Sequence, residues 1–152
     1  MPKLKNVAVL VNLSRPYDRE IIRGISRYVH FGAPWRLYVE EEPADRIPSF
    51  AEWSGQGLIV DLDDARIVKA LPQFTGKIVG IGCLAPDILR KLDISTVKTD
   101  DQMIAEWAAD HLVERGLEHF AYCGLRPRGL DQWDAVRRDS FCRRIAKHGY
   151  QC

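Results

Sequence analysis

The sequence predicts an α/β domain built on a parallel sheet, on three observations. Apolar runs such as "NVAVLVN" (6–12), "GLIVDLDD" (57–64) and "KIVGIGC" (77–83) lack the alternation of a sheet with one wet face. Such runs are expected where both faces of a strand are covered. Between them lie stretches whose apolar residues recur at helical spacing. Strands separated by helical stretches need crossover connections, which make the strands parallel.

Taken in order, 6–12 is the first strand. Pro16 and the charges after it open a helix with Ile21, Ile22, Ile25, Tyr28 and Val29 on one stripe. "WRLYVE" (35–40) is a second strand, followed by a connection with Pro43 and Pro48 and a short helical piece around 50–53. The third strand, 57–64, ends in carboxylates, and Asp63 or Asp64 is placed to cap a helix through Ile67, Val68 and Leu71. The fourth strand is 77–83 and the fifth "DISTVKTD" (93–100). A helix capped by Asp100 or Asp101 then carries Met103, Ile104, Trp107, Ala108, His111 and Leu112, with Gly116 as its stop. "HFAYCGL" (119–125) reads as a sixth strand, followed by a helix over about 135–148 that Gly149 ends.

With 152 residues, 46% hydrophobic and 28% charged, the chain suits one ordinary domain with a real core. A net charge of +1 gives no global electrostatic argument for nucleic acid. The apolar run at the amino terminus is broken by Asn12, which makes it a strand and not a signal peptide, and no later run approaches a membrane span. The four cysteines (Cys83, Cys123, Cys142, Cys152) show no C-x-x-C pair and no zinc-like spacing, and read as buried reduced thiols. The expected compartment is the cytoplasm.

Ligands of open parallel sheets sit beyond the carboxyl ends of the strands. That rim collects Asn12 to Asp18, Asp61 to Asp64, Gly82, Asp100, Asp101 and Leu125 to Trp133. Neither a G-x-G-x-x-G after the first strand nor a G-x-x-x-x-G-K-[ST] is present, so a nucleotide site is disfavoured. A phospho-acceptor receiver would need an acidic pair where Asn12-Leu13-Ser14 stands. Ser14 and Ser140 lack a G-x-S-x-G setting, and the histidines are scattered. The carboxylates at 63–64 and 100–101 sit at helix starts, where capping explains them without acid–base catalysis. No catalytic residue, metal site or cofactor is expected. Polar side chains converging from strand ends suit a small neutral molecule, with Asp accepting and Arg donating.

The stretches "VLVNLSRPYDREIIRGISRYV", "WRLYVEEE", "GLIVDLDD", "KIVGIG", "VKTDD" and "AADHLVERGLEHFAYCGL" resemble the sensor domain of the XylR family of AraC-type xylose-operon activators. Tyr17-Asp18-Arg19 and "DLDD" carry the specific part of the likeness. The spacing of Asp100, His111, Leu112 and Gly116 is shared across LacI-like sensors. The resemblance implies a periplasmic-binding-protein-like fold of two lobes that close on a sugar, and a helix-turn-helix domain that binds DNA. Residues 1–116 would form lobe one and 117–152 the first strand and helix of lobe two. The chain would then be an amino-terminal fragment, with the DNA-binding domain absent from it.

The resemblance assigns sugar contacts to Arg15, Tyr17, Asp18, Asp100, Asp101 and Arg137, and Asn12, Asp61 and Asp63 stand on the same rim. Other roles remain open: Asp18 as cap of the first helix, Tyr17 as a hydrophobic staple, Asp100 as both cap and contact, and Trp133 as an anchor of its loop in preference to a stacking platform for a sugar face. The implied partners are a pentose such as xylose, DNA through the missing domain, and a second copy of the chain, with Arg23, Arg27 and His30 where LacI-like relatives pair. The alternative is a sugar- or metabolite-binding α/β protein without DNA function.

Overall fold

The computed structural model describes residues 3–40, 53–82, 86–125 and 132–152. Most of the proline connection and helical piece expected before Trp53, together with Cys83, lies outside them. The described chain divides into two compact units, Met1–Val97 and Lys98–Cys152.

The first unit is a five-stranded parallel sheet. Its strands are β1 (Lys5–Leu10), β2 (Trp35–Glu40), β3 (Gly57–Asp61), β4 (Lys77–Ile81) and β5 (Ile94–Val97), in the order β2-β1-β3-β4-β5. Val9 is in register with Val39 on one side and Ile59 on the other. The strand order reverses between β1 and β3, and at such a switch point the loops leave in opposite directions and open a crevice.

Central strands are apolar for the expected reason: Val9, Leu58 and Val60 are essentially inaccessible. The edges are not, and in β5 only Ile94 is buried. Helix α1 (Pro16–His30) lays Ile21, Ile22 and Ile25 over Val9, Val11 and Ile81. Helix α2 (Ala65–Ala70) starts at Asp64, whose Oδ1 accepts the Arg66 N–H at 2.9 Å, which settles the choice between Asp63 and Asp64. Packing around β4 leaves no room for a side chain at Gly80, where a Cβ would stand 2.3 Å from Leu62 Cδ1.

A short helix, α3 (Pro86–Lys91), joins β4 to β5 and was not anticipated. Its sequence signals are Pro86 at the first position and Arg90 and Lys91 in the last turn.

The second unit is a helix pair. In α4 (Asp101–Glu114) the cap is Asp100, whose Oδ1 accepts the Met103 N–H at 2.9 Å. Helix α5 covers Gln132–Lys147. Ala105 and Ala109 of α4 meet Phe141 and Ile145 of α5 in a small core, flanked by Phe120, Tyr122 and Tyr150. Both helices end in the same reversal. Gly116 (φ 77°) and Gly149 (φ 87°) donate to Val113 and Ala146, and the following residues, Leu117 and Tyr150, donate to Leu112 and Ile145. This is the Schellman pattern, whose positive φ favours glycine.

Two expectations are corrected here. Residues 119–125 form no strand. Apolar composition makes a strand possible, but a strand exists only by pairing, and no described strand pairs with this segment. The thiols of Cys123 and Cys152 are exposed, not buried. One lies in that unpaired segment and the other follows the end of α5.

Candidate functional site

The corner after β1 is built from local side-chain hydrogen bonds. Asn12 Oδ1 accepts from the Ser14 N–H (3.0 Å) and the Ser14 hydroxyl (2.6 Å), and the Arg15 N–H reaches the Asn12 carbonyl at 3.0 Å. Arg19 closes the loop from the helix side, its Nη1 donating to the carbonyls of Leu13 (2.8 Å) and Ser14 (2.9 Å). Asn and Ser favour such turns because they replace backbone partners without requiring glycine.

Asp18 is not a helix cap. The N-cap of α1 is Arg15, without a side-chain hydrogen bond, and Asp18 Oδ2 instead accepts the Asn12 backbone N–H at 3.0 Å. The residue is only 3% exposed. Burial pushes its carboxyl above the ordinary carboxylate value and the Asp61 charge pushes the same way, while the Asn12 N–H and Arg15 oppose them.

Asp61, at the end of β3, is buried as well. Its Oδ2 receives Arg15 Nη1 at 3.0 Å, and its Oδ1 receives the Asp63 N–H at 2.9 Å. The Arg15–Asp61 pair therefore ties the β1 and β3 corners together across the switch point. Arg15 remains about half exposed. Tyr17 is half exposed on the first turn of α1. Of the residues expected on this rim, Asn12, Arg15, Asp18, Asp61 and Asp63 thus join in one hydrogen-bonded group.

In the second unit, Asp101 and Arg137 pair. Arg137 Nε donates to Asp101 Oδ1 at 2.8 Å, and the Thr99 hydroxyl lies 3.0 Å from the same oxygen. The Arg137 guanidinium sits 4.7 Å from the centre of the Trp133 ring, a cation–π arrangement. Asp100 is occupied by its cap. Part of the expected rim, residues 126–131, lies outside the described residues. Thr99 and Arg19 support the two groups and were not among the expected contacts, whereas Trp133 was expected on the rim as a loop anchor and is found against Arg137. The four-residue spacing of Trp133 and Arg137 on one helix was the available signal for that pair.

Among the described residues no group of three or more His, Cys, Asp or Glu side chains could hold a metal ion. What both groups present is carboxylates and guanidinium groups held in fixed orientations, suited to exchanging hydrogen bonds with a hydroxylated molecule.

Residues 6–102 match the family described as the XylR N-terminal domain. The chain belongs to that family. The xylose operon regulatory protein of Escherichia coli (strain K12) is 29% identical over 150 residues, 98% of this chain and 38% of the relative. The chain therefore spans well under half the length of that XylR relative. A solved structure described as the xylose-binding transcription activator XylR superposes with a TM-score of 0.78 at 28% identity, over 98% of this chain and 37% of the other. A solute-binding protein of an ABC transporter from Burkholderia multivorans shares the fold, with a TM-score of 0.70 at 15% identity, over 99% of this chain and 59% of the other. This XylR-family domain thus has the α/β fold of periplasmic sugar-binding proteins. No described helix is long and apolar enough to cross a membrane.

Proposed function

We propose that the chain is the sugar-sensing part of a transcription regulator that responds to a pentose, with xylose as the first candidate. The observation that carries this reading is the rim group at the β1/β3 switch point, in a chain whose XylR relatives are named for xylose. The buried Asp18 and Asp61 carboxylates, with Arg15 between the two loops, offer acceptors and donors from side chains. A pyrophosphate would call for backbone N–H groups and glycines instead.

In the first unit the proposed sugar contacts are Arg15, Tyr17 and Asp18, supported by Asn12, Asp61 and Asp63; in the second they are Asp100, Asp101 and Arg137. In this reading lobe one comprises residues 1 to about 116 and lobe two begins with 117–152, a boundary that follows the family resemblance and falls later in the chain than the division between the two compact units at Val97 and Lys98. Sugar binding acts by population shift, favouring one lobe arrangement over another and so biasing DNA-binding domains of the full regulator. The regulator works in the cytoplasm as a homodimer and catalyses no reaction.

Calorimetric titration of the full-length regulator with xylose, arabinose, ribose and a sugar phosphate tests the reading. Xylose is expected to bind tightest. Tighter binding of the phosphate would overturn it.

A further inference from the structure

Two cysteines away from the candidate site meet at the end of α5. The Cys142 thiol donates a hydrogen bond to Cys152 Sγ at 2.9 Å. The helix end builds this approach. The Gly149 reversal turns the chain back, and the Tyr150 ring packs on Phe120 with 5.3 Å between ring centres. Tyr150 also lies against the Ala105, Ala109, Phe141 and Ile145 core. With Tyr150 seated, the following residues return along α5 and bring Cys152 onto Cys142.

The two thiols differ in environment. Cys152 is exposed and Cys142 half-buried. Burial, helped by the hydrogen bond to Cys152, pushes the Cys142 thiol up to about 11. The exposed Cys152 is therefore where an oxidant enters, because the thiolate is the attacking form and access governs the encounter.

We propose that Cys142 and Cys152 are a redox-closable pair, which a low-molecular-weight disulfide such as oxidised glutathione converts into an intramolecular disulfide. The Cys152 sulfur, as thiolate, attacks the small disulfide. A mixed disulfide forms and one small thiolate leaves. The Cys142 sulfur gives its proton to solvent and attacks the Cys152 sulfur, forming the Cys142–Cys152 bond and expelling the second small thiol. Two protein thiols are oxidised and one small disulfide is reduced to two thiols. The sulfurs need approach by only about 1 Å to reach bonding distance. Once formed, the bond pins Tyr150 to the α4–α5 core and makes the firmness of that helix pair respond to thiol–disulfide balance.

The test equilibrates the folded chain with mixtures of oxidised and reduced glutathione, quenches with acid, alkylates the free thiols and maps the peptides. The expected product is a linked Cys142–Cys152 peptide. Its effective concentration should exceed that of the same chain in concentrated urea by at least about tenfold, because the fold pre-aligns the sulfurs. Cys123→Ser should leave the product unchanged and Cys152→Ser should abolish it. Equal effective concentrations in the folded and urea-unfolded chains would overturn the proposal. So would a mixed disulfide that persists at Cys152 beside an alkylated Cys142, or pairing of either thiol with Cys123.

Discussion

Asp18 in the sheet unit and Asp110 in the helix pair both hold chain segments together, yet their electrostatics are opposite. Asp110 receives Arg144 through both oxygens (2.6 and 2.8 Å) and His148 at 2.7 Å. These partners, Arg144 first, hold its carboxyl at about 2. Asp18 is buried against one backbone N–H and a second carboxylate, and its pKa goes up. The first carboxylate gains from its surroundings by being charged, and the second is charged at a cost. A buried carboxylate that its neighbours under-compensate has acceptor capacity to spare for a donor from outside, which is why the proposed sugar site includes Asp18 and not Asp110.

The largest expected effect sharpens the contrast in core size. The helix pair rests on a small apolar core of Ala105, Ala109, Phe141 and Ile145, so Ile145→Ala should cost about 2–5 kcal/mol. Hydrogen exchange should show protection lost over α4 and α5 and retained in β1, β3 and β4. Equal loss in both units would make them one cooperative block.

In the sheet, Gly80→Ala should cost about 1–3 kcal/mol, because the new methyl meets Leu62. Urea unfolding followed through the β1–β4 amides measures it. An unchanged midpoint would mean that Leu62 moves aside freely.

Asp18→Asn breaks or confirms the comparison most directly. The amide oxygen still accepts the Asn12 N–H while the charge is gone. Stability should stay within about 1 kcal/mol or rise, and pentose affinity in the full-length regulator should fall by about 1.5–3 kcal/mol, roughly ten- to 150-fold. Loss of stability without loss of affinity would reverse the roles assigned to Asp18 and Asp110.

The smallest effect is the pH response. Asp110 has a depressed folded pKa, so its contribution is present above the unfolded value and is lost as pH falls through about 2. Asp18 has a raised folded pKa, so the folded chain binds its proton more readily. Stability from that group increases as pH falls through the window just above the ordinary carboxylate value. Amide exchange measured residue by residue from neutral to strongly acid pH should show the β1 corner tightening before the α4–α5 contacts loosen. Simultaneous loosening of both would contradict the opposite signs.

The strands and the main helices were legible in the sequence because burial on two faces, or on one stripe, leaves a periodic record in residue type. The polar corner at 12–18 was legible for a related reason: Asn, Ser, Asp and Pro act on their near neighbours, and those neighbours are fixed by the chain itself. Which distant groups these residues would meet was not legible. Arg15 and Asp61 are 46 positions apart, and Asp101 and Arg137 are 36 apart; each pair exists because strand order or helix packing brings its members together. Tertiary structure also decided that Asp18 serves the Asn12 backbone and not its own helix. It left 119–125 without a ladder although its composition suits a strand. Local preference is written residue by residue along the chain, whereas pairing depends on what the rest of the chain places opposite.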